Sequence, residues 1–434
     1  MNRVIDRRSF IRAAGTVSLG AGILGSGVNV LARRNMSSRV SVAVMGVNNR
    51  GSALAREFVR QENAEISYIC DVDENAIKKG LDAVKEAGQQ IEPKTVKDIR
   101  KVLEDSSVDA VVIATPLHWA APAAIMALQA GKHVYIEKPC SHNPHEGELL
   151  VEAANRYNRV VQQGNQRRSW PNVQEAIQLV HEGAVGDAYF ARCWYANSRG
   201  SIGYGKPAPI PATLDYELWQ GPAPKKEYKD NLIHYNWWWH WHWGGGELLA
   251  NGIHFIDLAM LGLDVQFPSR VTSSGGRFHW KDDQETPDTH IVTYDFPENR
   301  TILWEQRSSN PRRIEGSAFG VSYHGDQGTL VIDGNSYTLF DMRNEVVKRV
   351  EPVSGYNINS DHIANFLESI TDGVAANSVI SDTNAGVHNC HLGNIAYRTG
   401  RTINCNPENG AIIDDADAMK YWSREYAPGW ELSV

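Results

Sequence analysis

Two glycines and an aspartate near the start of the chain have the spacing of a phosphate-binding turn. Gly46 and Gly51 enclose Val47-Asn48-Asn49-Arg50, and Asp71 follows 25 residues after Gly46. Glycines allow a tight turn and a close approach of the backbone to a pyrophosphate, whose charge is met by the free amides of the following helix. An aspartate at this spacing accepts hydrogen bonds from the adenosine ribose and repels a 2′-phosphate. We therefore predict a dinucleotide site that binds NAD rather than NADP, with Asn48 standing where the fingerprint has its middle glycine.

The elements around these residues alternate between strands and helices. Apolar runs of strand length end just before the candidate loops, and stretches with a helical pattern separate them. The predicted strands are 40–45, 66–70, 108–116 and 133–136, and the predicted helices are 52–60, 99–103 and 121–130. This alternation indicates a doubly wound parallel sheet, a Rossmann domain over 38–163, with ligands at the carboxyl ends of its strands.

Three short segments within this pattern resemble one known family. They are Thr115-Pro116-Leu117-His118, Ala130-Gly131-Lys132-His133-Val134 and Glu137-Lys138-Pro139, of which the last is the most specific. The likeness is to the Gfo/Idh/MocA family, named for glucose–fructose oxidoreductase, inositol dehydrogenase and a rhizopine catabolism protein, and it extends from about Arg39 to about Arg401. It implies a bound nicotinamide cofactor and, over 164–434, an α/β domain with an open, mostly antiparallel sheet. It also implies that substrate lies between that sheet and the Rossmann domain.

The fingerprint and the family segments together predict the cofactor site. Thr115 and Pro116 follow one buried strand, Glu137 and Lys138 follow another, and Gln166 lies where the chain leaves the Rossmann domain. These positions share the carboxyl edge of the predicted parallel sheet. The complete predicted cofactor set is Gly46, Asn48, Asn49, Arg50, Gly51, Asp71, Thr115, Pro116, His118, Glu137, Lys138 and Gln166.

Lys138 is the first predicted catalytic residue. It stands at the carboxyl end of a strand and precedes Pro139, and in this family that peptide is often cis. An ammonium group there can hydrogen-bond a reacting hydroxyl and stabilise the alkoxide character that develops as hydride leaves. Glu137 could orient it.

His254 is the second predicted catalytic residue, as a general base. It follows Gly244-Gly245-Gly246 in a segment similar to the family's second signature, a glycine run that leads into a helix with an acid four residues before a histidine. Residues four apart share one helix face and can act as a proton relay. Here Ala250 occupies the position of the acid. Asn251 can reach the same space, but it cannot relay a proton as a carboxylate does.

An aromatic segment lies just before this glycine run. Residues 235–243 contain five tryptophans together with His240 and His242. Indole rings stack on sugar faces, and indole and imidazole groups reach hydroxyls, so the segment is predicted to bind substrate. The other interpretation is a core or oligomer-interface strand, in which alternate residues face opposite sides. No carboxylate or cysteine stands at ligand spacing from the two histidines, and we expect no metal.

Two further segments are predicted to line the substrate cleft. Arg167 and Arg168 offer guanidinium donors, although both can equally form salt bridges between domains. Tyr195 lies on a predicted strand and is a candidate polar contact. Asp257 follows His254 by three residues, and it can either hold the imidazole or pair within its domain. The complete predicted substrate set is Arg167, Arg168, Tyr195, Trp239, His240, His242, Asn251 and His254.

The N-terminus differs in kind from the rest of the chain. Asp6-Arg7-Arg8-Ser9-Phe10-Ile11 resembles a twin-arginine export signal, and the Gly- and Ala-rich run 13–32 ends in Val30-Leu31-Ala32. We predict a signal peptide over 1–35 that is cleaved near Ala32, export through the twin-arginine translocon and a periplasmic location. An uncleaved membrane anchor is the other interpretation, but the run contains five glycines and several polar residues.

Composition limits the classes of partner. The chain has 434 residues and a formal charge of −8, with no clustered basic stripe, so nucleic acid is not an expected partner. Its 42% hydrophobic residues are enough for a sizeable core. The five cysteines are widely spaced, which indicates neither a zinc site nor a disulfide framework.

Three functions are consistent with these features. The first is hydride transfer between NAD and a secondary hydroxyl of a sugar, glycoside or cyclitol. The second is glycoside hydrolysis with recycled NAD, because the aromatic segment and the helix after it also resemble the NAD-dependent glycosidases of this fold. The third is sugar binding without catalysis. In each case the open sheet of the second domain predicts a homo-oligomer.

Overall fold

The first part of the chain forms a parallel sheet of six strands within residues 39–434, the range that this computed structural model describes. The strands are β1 (Val40–Met45), β2 (Ala64–Cys70), β3 (Lys94–Val96), β4 (Ala110–Ile113), β5 (His133–Ile136) and β6 (Val161–Gln163). Their order is β3-β2-β1-β4-β5-β6, so the winding reverses between β1 and β4. The predicted signal peptide lies outside the described residues.

Helices cover both faces of this sheet. They are α1 (Arg50–Val59), α2 (Glu74–Glu86), α3 (Ile99–Leu103), α4 (Leu117–Gln129) and α5 (Pro144–Tyr157). Val42 and Val44 of β1 enter one buried cluster, whereas Ala43 and Met45 enter another on the opposite face. Two-sided burial explains why these strands are continuous apolar runs, and the predicted doubly wound Rossmann sheet is confirmed.

The second part of the chain forms a mixed sheet of nine strands within the described range. The strands are β7 (Ala188–Ala196), β8 (Arg270–Gly276), β9 (Thr289–Phe296), β10 (Arg300–Arg307), β11 (Phe319–Gly325), β12 (Gly328–Asp333), β13 (Ser336–Asp341), β14 (Val346–Val350) and β15 (Ile403–Asn404). Their order is β14-β13-β12-β11-β7-β10-β9-β8-β15. β7 and β10 run parallel and the other neighbours antiparallel, which confirms the prediction of an open, mostly antiparallel sheet.

The remaining helices pack around and between the two sheets. They are α6 (Pro171–His181), α7 (Tyr216–Gln220), α8 (Ile253–Leu263), α9 (Ser360–Thr371), α10 (Ile380–Thr399) and α11 (Ala416–Met419). α8 lies against β7, β10 and β11, with Phe255 stacked on Trp304. α9 buries Ile363 and Phe366 in a cluster of the Rossmann sheet, so a late segment of the chain completes the first domain's core.

The aromatic segment does not form a strand. Asn236–Trp239 is a turn of 3-10 helix, and the amide of Gly244 donates back to the His240 carbonyl. A Cβ at Gly244 would lie 2.7 Å from the Trp238 carbonyl oxygen, which shows how tightly the chain folds back there. The interpretation of this segment as a strand with alternating faces is therefore wrong.

Contacts along the carboxyl edge of the Rossmann sheet tie the two parts together. Asp73 forms a bridge with Leu214, and the Arg424 guanidinium near the C-terminus pairs with the buried Glu146 carboxylate at 2.7 Å. Both parts of the chain therefore contribute residues to one cleft. Among the described residues, no helix combines the length and apolarity needed to span a bilayer.

Candidate active site

A cleft of about 580 Å³ lies at the carboxyl edge of the Rossmann sheet. Its walls come from the glycine loop, the ends of β2, β4 and β5, the segment around 218–238, the start of α8 and the loop before α9. The Rossmann residues among them include Gly46, Asn48, Asn49, Arg50, Asp71, Thr115, Pro116, Glu137 and Lys138, and the others include Gln166, Trp219, His234, Trp237, Trp238, His254 and Asn359. Most of the predicted cofactor set is therefore brought together.

The glycine loop is built for close backbone approach. Gly46 has a φ of +83°, and a Cβ there would lie 2.7 Å from the Ala114 carbonyl oxygen. A Cβ at Gly51 would lie 1.8 Å from the carbonyl oxygen of Gly46, so that position tolerates no side chain. The third glycine of the fingerprint thus packs α1 onto the turn, as the sequence pattern requires. Asn48, which replaces the middle glycine, turns its side chain to accept a hydrogen bond from Lys79 at 2.6 Å.

Asp71 ends β2 beside this loop. One carboxylate oxygen accepts the Val47 amide at 2.7 Å and the other accepts the Asp73 amide at 3.0 Å. Burial, the larger effect, raises the pKa of Asp71, while these two hydrogen bonds act to lower it. The carboxylate therefore fixes the turn and also reaches the cleft.

These residues fit a dinucleotide. The first turn of α1 has no acidic residue and no side-chain cap on its amides, so its positive end is available to a pyrophosphate. Thr115 lines the cleft with a buried hydroxyl oxygen that has no partner among the described residues. The uncapped start of α1, the two glycines that leave no room for a Cβ and the Thr115 hydroxyl lie at one edge of the sheet. Together they form a site that fits a phosphate-bearing cofactor.

Lys138 lies at the end of β5, before a cis peptide bond to Pro139. Its ammonium donates a hydrogen bond to the Ala250 carbonyl at 2.5 Å. Burial lowers the pKa of Lys138 to about 8, an effect that nearby Glu137 partly opposes and Arg50 reinforces. Near neutral pH this side chain is mostly protonated, yet it can exchange its proton.

His254 faces Lys138 from the start of α8. Its Nδ1 is buried and has no hydrogen-bond partner within residues 39–434. Burial, followed by the charges of Lys138 and Arg167, holds the pKa of His254 well below its ordinary value. A neutral imidazole with a free nitrogen beside an ammonium group is able to accept a proton from a bound hydroxyl.

A turn of π-helix, Leu248–Gly252, precedes His254 and changes which residues come together. Ala250 turns its carbonyl oxygen to Lys138. The amide side chain of Asn251 donates to the Glu247 carboxylate, which is itself buried and also accepts two hydrogen bonds from Arg199 at 2.6 and 3.1 Å. A carboxylate is therefore bonded to the turn that precedes His254, although not at the position where the family pattern has it.

Glu137 does not contact Lys138 through a hydrogen bond. One oxygen of its carboxylate accepts from Arg50 at 2.8 Å and from Gln166 at 3.0 Å. Arg50 also donates to Asn359 at 3.0 Å, from the loop before α9. Glu137 therefore joins three segments of the cleft wall, while its charge still acts on Lys138.

The two adjacent arginines have different surroundings. Arg168 donates two hydrogen bonds to the buried Asp257 carboxylate, at 2.8 and 2.6 Å. Asp257 therefore pairs with Arg168 rather than holding His254. Arg167 instead lies 4.7 Å from the ring centroids of both Trp170 and Phe255.

Several predicted residues lie outside the cleft wall. His118 is buried in α4, donates to the Trp219 carbonyl at 2.8 Å and packs on its ring. His242 donates to the Pro224 carbonyl at 2.8 Å, and Nδ1 of His240 lies 3.8 Å from the Glu285 carboxylate. The ring of Trp239 covers Arg199, and the Tyr195 hydroxyl accepts from Asn197 at 2.9 Å. Each of these side chains has a protein partner, and none of them lines the cleft.

Other members of the aromatic region do reach the cleft. Trp237 and Trp238 line it with their rings stacked 4.2 Å apart, and Trp219 lines it from α7. His234 ties this region to the Rossmann sheet through a 2.7 Å contact with the Asp73 carboxylate. The sequence showed that the region is aromatic, but no local signal indicated which rings face the cleft. Among the described residues, no group of three or more His, Cys, Asp or Glu side chains is placed to hold a metal ion.

Fold and cleft together define a dinucleotide-binding protein of the oxidoreductase type. Residues 40–165 match the oxidoreductase family with an NAD-binding Rossmann fold, and residues 193–432 match the C-terminal alpha/beta domain of the same family. The chain therefore belongs to the Gfo/Idh/MocA oxidoreductase family. This confirms the predicted family and its nicotinamide cofactor.

Several proteins similar to this chain carry the names of sugar-active enzymes. A glycosyl hydrolase family 109 protein of Saccharopolyspora erythraea is 26% identical over 46% of this chain and 48% of its own length. An alpha-N-acetylgalactosaminidase of Shewanella oneidensis is 30% identical over 35% of this chain and 37% of its own length. The chain thus spans less than half of these relatives. The crystal structure of aldose–aldose oxidoreductase from Caulobacter crescentus superposes with a TM-score of 0.65 at 18% identity, over 84% of this chain and 99% of that one, which shows a shared fold.

Proposed function

We propose that the protein is an NAD-dependent enzyme that oxidises a secondary hydroxyl of a sugar, glycoside or cyclitol. The observation that carries this proposal is the meeting of Lys138 and His254 in the cleft that the glycine loop forms. Family membership supports the cofactor, and the sugar-related names of the relatives support the substrate class.

The glycine loop and Asp71 would hold NAD, which would supply the acceptor for the hydride from the carbon that carries the reacting hydroxyl. His254 takes the hydroxyl proton on its free nitrogen, because its depressed pKa keeps the ring neutral before the reaction. Lys138 exchanges its contact with the Ala250 carbonyl for one with the substrate oxygen and stabilises the negative charge that grows there. Glu247 acts through Asn251 to hold the turn before His254, which makes it a positioning residue.

Glycoside hydrolysis is the second candidate. Two relatives similar to this chain carry the names of glycoside hydrolases, which favours it. In such a reaction the sugar is oxidised, loses its aglycone by elimination, gains water and is reduced again, so no net NAD is consumed. The same Lys138 and His254 would serve both oxidation and return.

One assay separates the two candidates. The purified enzyme is incubated with NAD and a panel of 4-nitrophenyl glycosides, and both reduced nicotinamide and nitrophenolate are followed. Accumulation of NADH without nitrophenolate supports the dehydrogenase, whereas nitrophenolate release with no net NADH supports the glycosidase. If neither product forms but sugars still bind, and Lys138→Met leaves that binding unchanged, the protein is a sugar-binding member of the family without catalysis.

We also propose export, a homo-oligomer and a preference for NAD over NADP. Arg7-Arg8 and the run up to Ala32 support transport by the twin-arginine translocon to the periplasm. Ile291 on β9 is 42% exposed between buried neighbours, which supports a covered sheet face in an oligomer. The Asp71 carboxylate beside the glycine loop supports NAD. Subcellular fractionation, light scattering and the two cofactors' binding constants test these three proposals.

A further inference from the structure

Arg167 has a guanidinium with no carboxylate at salt-bridge distance in the described part of the chain. Its guanidinium forms no hydrogen bond or ion pair with any group in residues 39–434. The ring centroids of Trp170 and Phe255 lie 4.7 Å from its central carbon, and that of Phe319 lies at 5.2 Å. Aromatic faces stabilise a guanidinium, but they leave its N–H donors unused. The neighbouring Arg168, in contrast, is neutralised by Asp257.

Arg167 is not part of the cleft wall, but it lies next to the catalytic end, with its guanidinium over the ring of Phe255, the residue after His254. It follows Gln166, which lines the cleft, and its charge is close enough to Lys138 and His254 to lower the pKa of both. On the other side it lies over the ring of Phe319 on β11, 5.2 Å from the ring centroid. The guanidinium therefore stands between the predicted catalytic pair and the second sheet, where the substrate of this family is expected.

The carboxylates at this end are already engaged. Glu137 pairs with Arg50, and Glu247 pairs with Arg199. Asp333 acts on Arg167 through its charge alone, and its carboxylate accepts from the Ser317 hydroxyl at 2.6 Å. Lys138 and Arg167 thus give this end an excess of positive charge. Proton transfer to His254 would add a third cation, which is unfavourable unless a negative charge enters with the substrate.

We propose that the substrate carries a carboxylate, as in a hexuronic acid or its glycoside, and that Arg167 binds this group. A guanidinium presents paired N–H donors that match the two oxygens of a carboxylate. Because Lys138 is engaged with the reacting oxygen, Arg167 alone is left for an anionic substituent, and its single charge matches that of a carboxylate better than the double charge of a sugar phosphate. This inference rests on the proposed function and specifies its substrate.

The test compares acids with their neutral counterparts on the NAD-loaded, full-length protein. Glucuronate and galacturonate, glucose and galactose, the methyl esters of the two acids, and glucose 6-phosphate are titrated by calorimetry. We expect hexuronates to bind about 10- to 100-fold more tightly than the hexoses and esters, because the charge-assisted pair with Arg167 is lost in the neutral compounds. Arg167→Gln removes this preference, and Arg167→Lys keeps part of it. The matched control is Arg192→Gln on β7, where the native guanidinium pairs with Glu305 of β10, and this variant keeps all of the preference.

Other outcomes overturn the inference. Equal binding of acid and ester, a preference that survives Arg167→Gln, tighter binding of the sugar phosphate, or no binding of any of these sugars would each contradict it. NAD affinity and the far-ultraviolet circular dichroism spectrum are measured on each variant, so that a folding defect is distinguished from loss of the anion contact. If hexuronates bind as expected but neither NADH nor aglycone is formed from any hexuronide, the proposed function fails while the carboxylate site stands.

Discussion

The glycine loop Gly46–Gly51 and the aromatic segment 235–243 are the two most conspicuous stretches of the sequence, yet they differ in how well their residue types indicate their positions. The glycine loop lines the cleft. Of the aromatic residues predicted to touch sugar, Trp239 covers Arg199, while His240 and His242 contact Glu285 and the Pro224 carbonyl.

The difference lies in what determines each structure. The turn at Gly46 needs a positive φ and Gly51 needs an absent side chain, and both are properties of the residue itself. The directions of the indole and imidazole rings depend on partners that are distant in the chain. A site that depends on backbone conformation can thus be predicted from a short motif. The directions of side chains in an aromatic segment cannot.

The largest expected effect concerns Lys138. It lies on the Rossmann side of the cleft and donates a hydrogen bond to Ala250 on the opposite side. Lys138→Met removes the donor to the reacting oxygen, and we expect kcat to fall by about 10²- to 10⁴-fold. NAD affinity should change little, because the methylene chain is kept. Steady-state kinetics and a cofactor titration measure both, with the exposed Lys78→Met as control. An unchanged kcat would contradict the role of Lys138 as the donor to the reacting oxygen.

The ion pair between Arg199 and the buried Glu247 gives the next largest effect. Glu247→Met leaves Arg199 without its carboxylate, and we expect the free energy of unfolding to fall by about 3 to 5 kcal/mol. The double variant Arg199→Met/Glu247→Met should regain part of that loss. Urea unfolding monitored by circular dichroism compares the three proteins. If Glu247→Met alone were as stable as the wild type, Glu247 would not hold the turn before His254.

Activity should depend on pH through the same two residues. Because Lys138 must be protonated and its pKa is lowered to about 8, kcat/KM should fall about tenfold per pH unit above that value. The acid limb depends on a neutral His254 and should lie below pH 6.5. A pH–rate profile with a sugar substrate measures both limbs. A flat profile to well above pH 8 would remove Lys138 from the reaction.

A substitution at Gly51 tests the glycine loop, the side of the cleft that was predicted from the sequence. Gly51→Ala places a Cβ 1.8 Å from the Gly46 carbonyl oxygen, so the loop must shift, and NAD affinity should fall by about tenfold or more. Gly200→Ala, where nothing lies within 4 Å of the added atom, is the matched control. Fluorescence titration with NAD compares them. Equal affinities would mean that the loop is not part of the cofactor site.

The smallest effect is expected in the aromatic segment. His242→Gln keeps a donor to the Pro224 carbonyl, and since this side chain does not line the cleft, the KM for sugar should stay within about twofold of the wild-type value. Steady-state kinetics check this. A tenfold rise in the KM for sugar would support the predicted contact between His242 and sugar. It would also weaken the contrast between the two regions.

How far the sequence predicts this molecule depends on the range of the contacts involved. Alternation of strands and helices, the glycine loop and the segment around Lys138 are local patterns, and they indicated the fold and the cleft. Ala250 suggested a missing acid, because the expected spacing assumes an α-helix. The π-helical turn and the hydrogen bond from Asn251 to Glu247 bring an acid nearby from outside that spacing. The link from Arg50 to Asn359, in a loop far along the chain, has no local signal at all.

The proposed chemistry depends above all on a dinucleotide in the cleft. The most direct measurement is to denature the purified protein, identify any released dinucleotide by absorbance and mass, and titrate NAD and NADP into protein that lacks it. We predict either stoichiometric release of NAD or reversible binding of NAD more tightly than NADP. A protein that releases no dinucleotide and binds neither cofactor would contradict the assignment of the cleft and every proposal built on it.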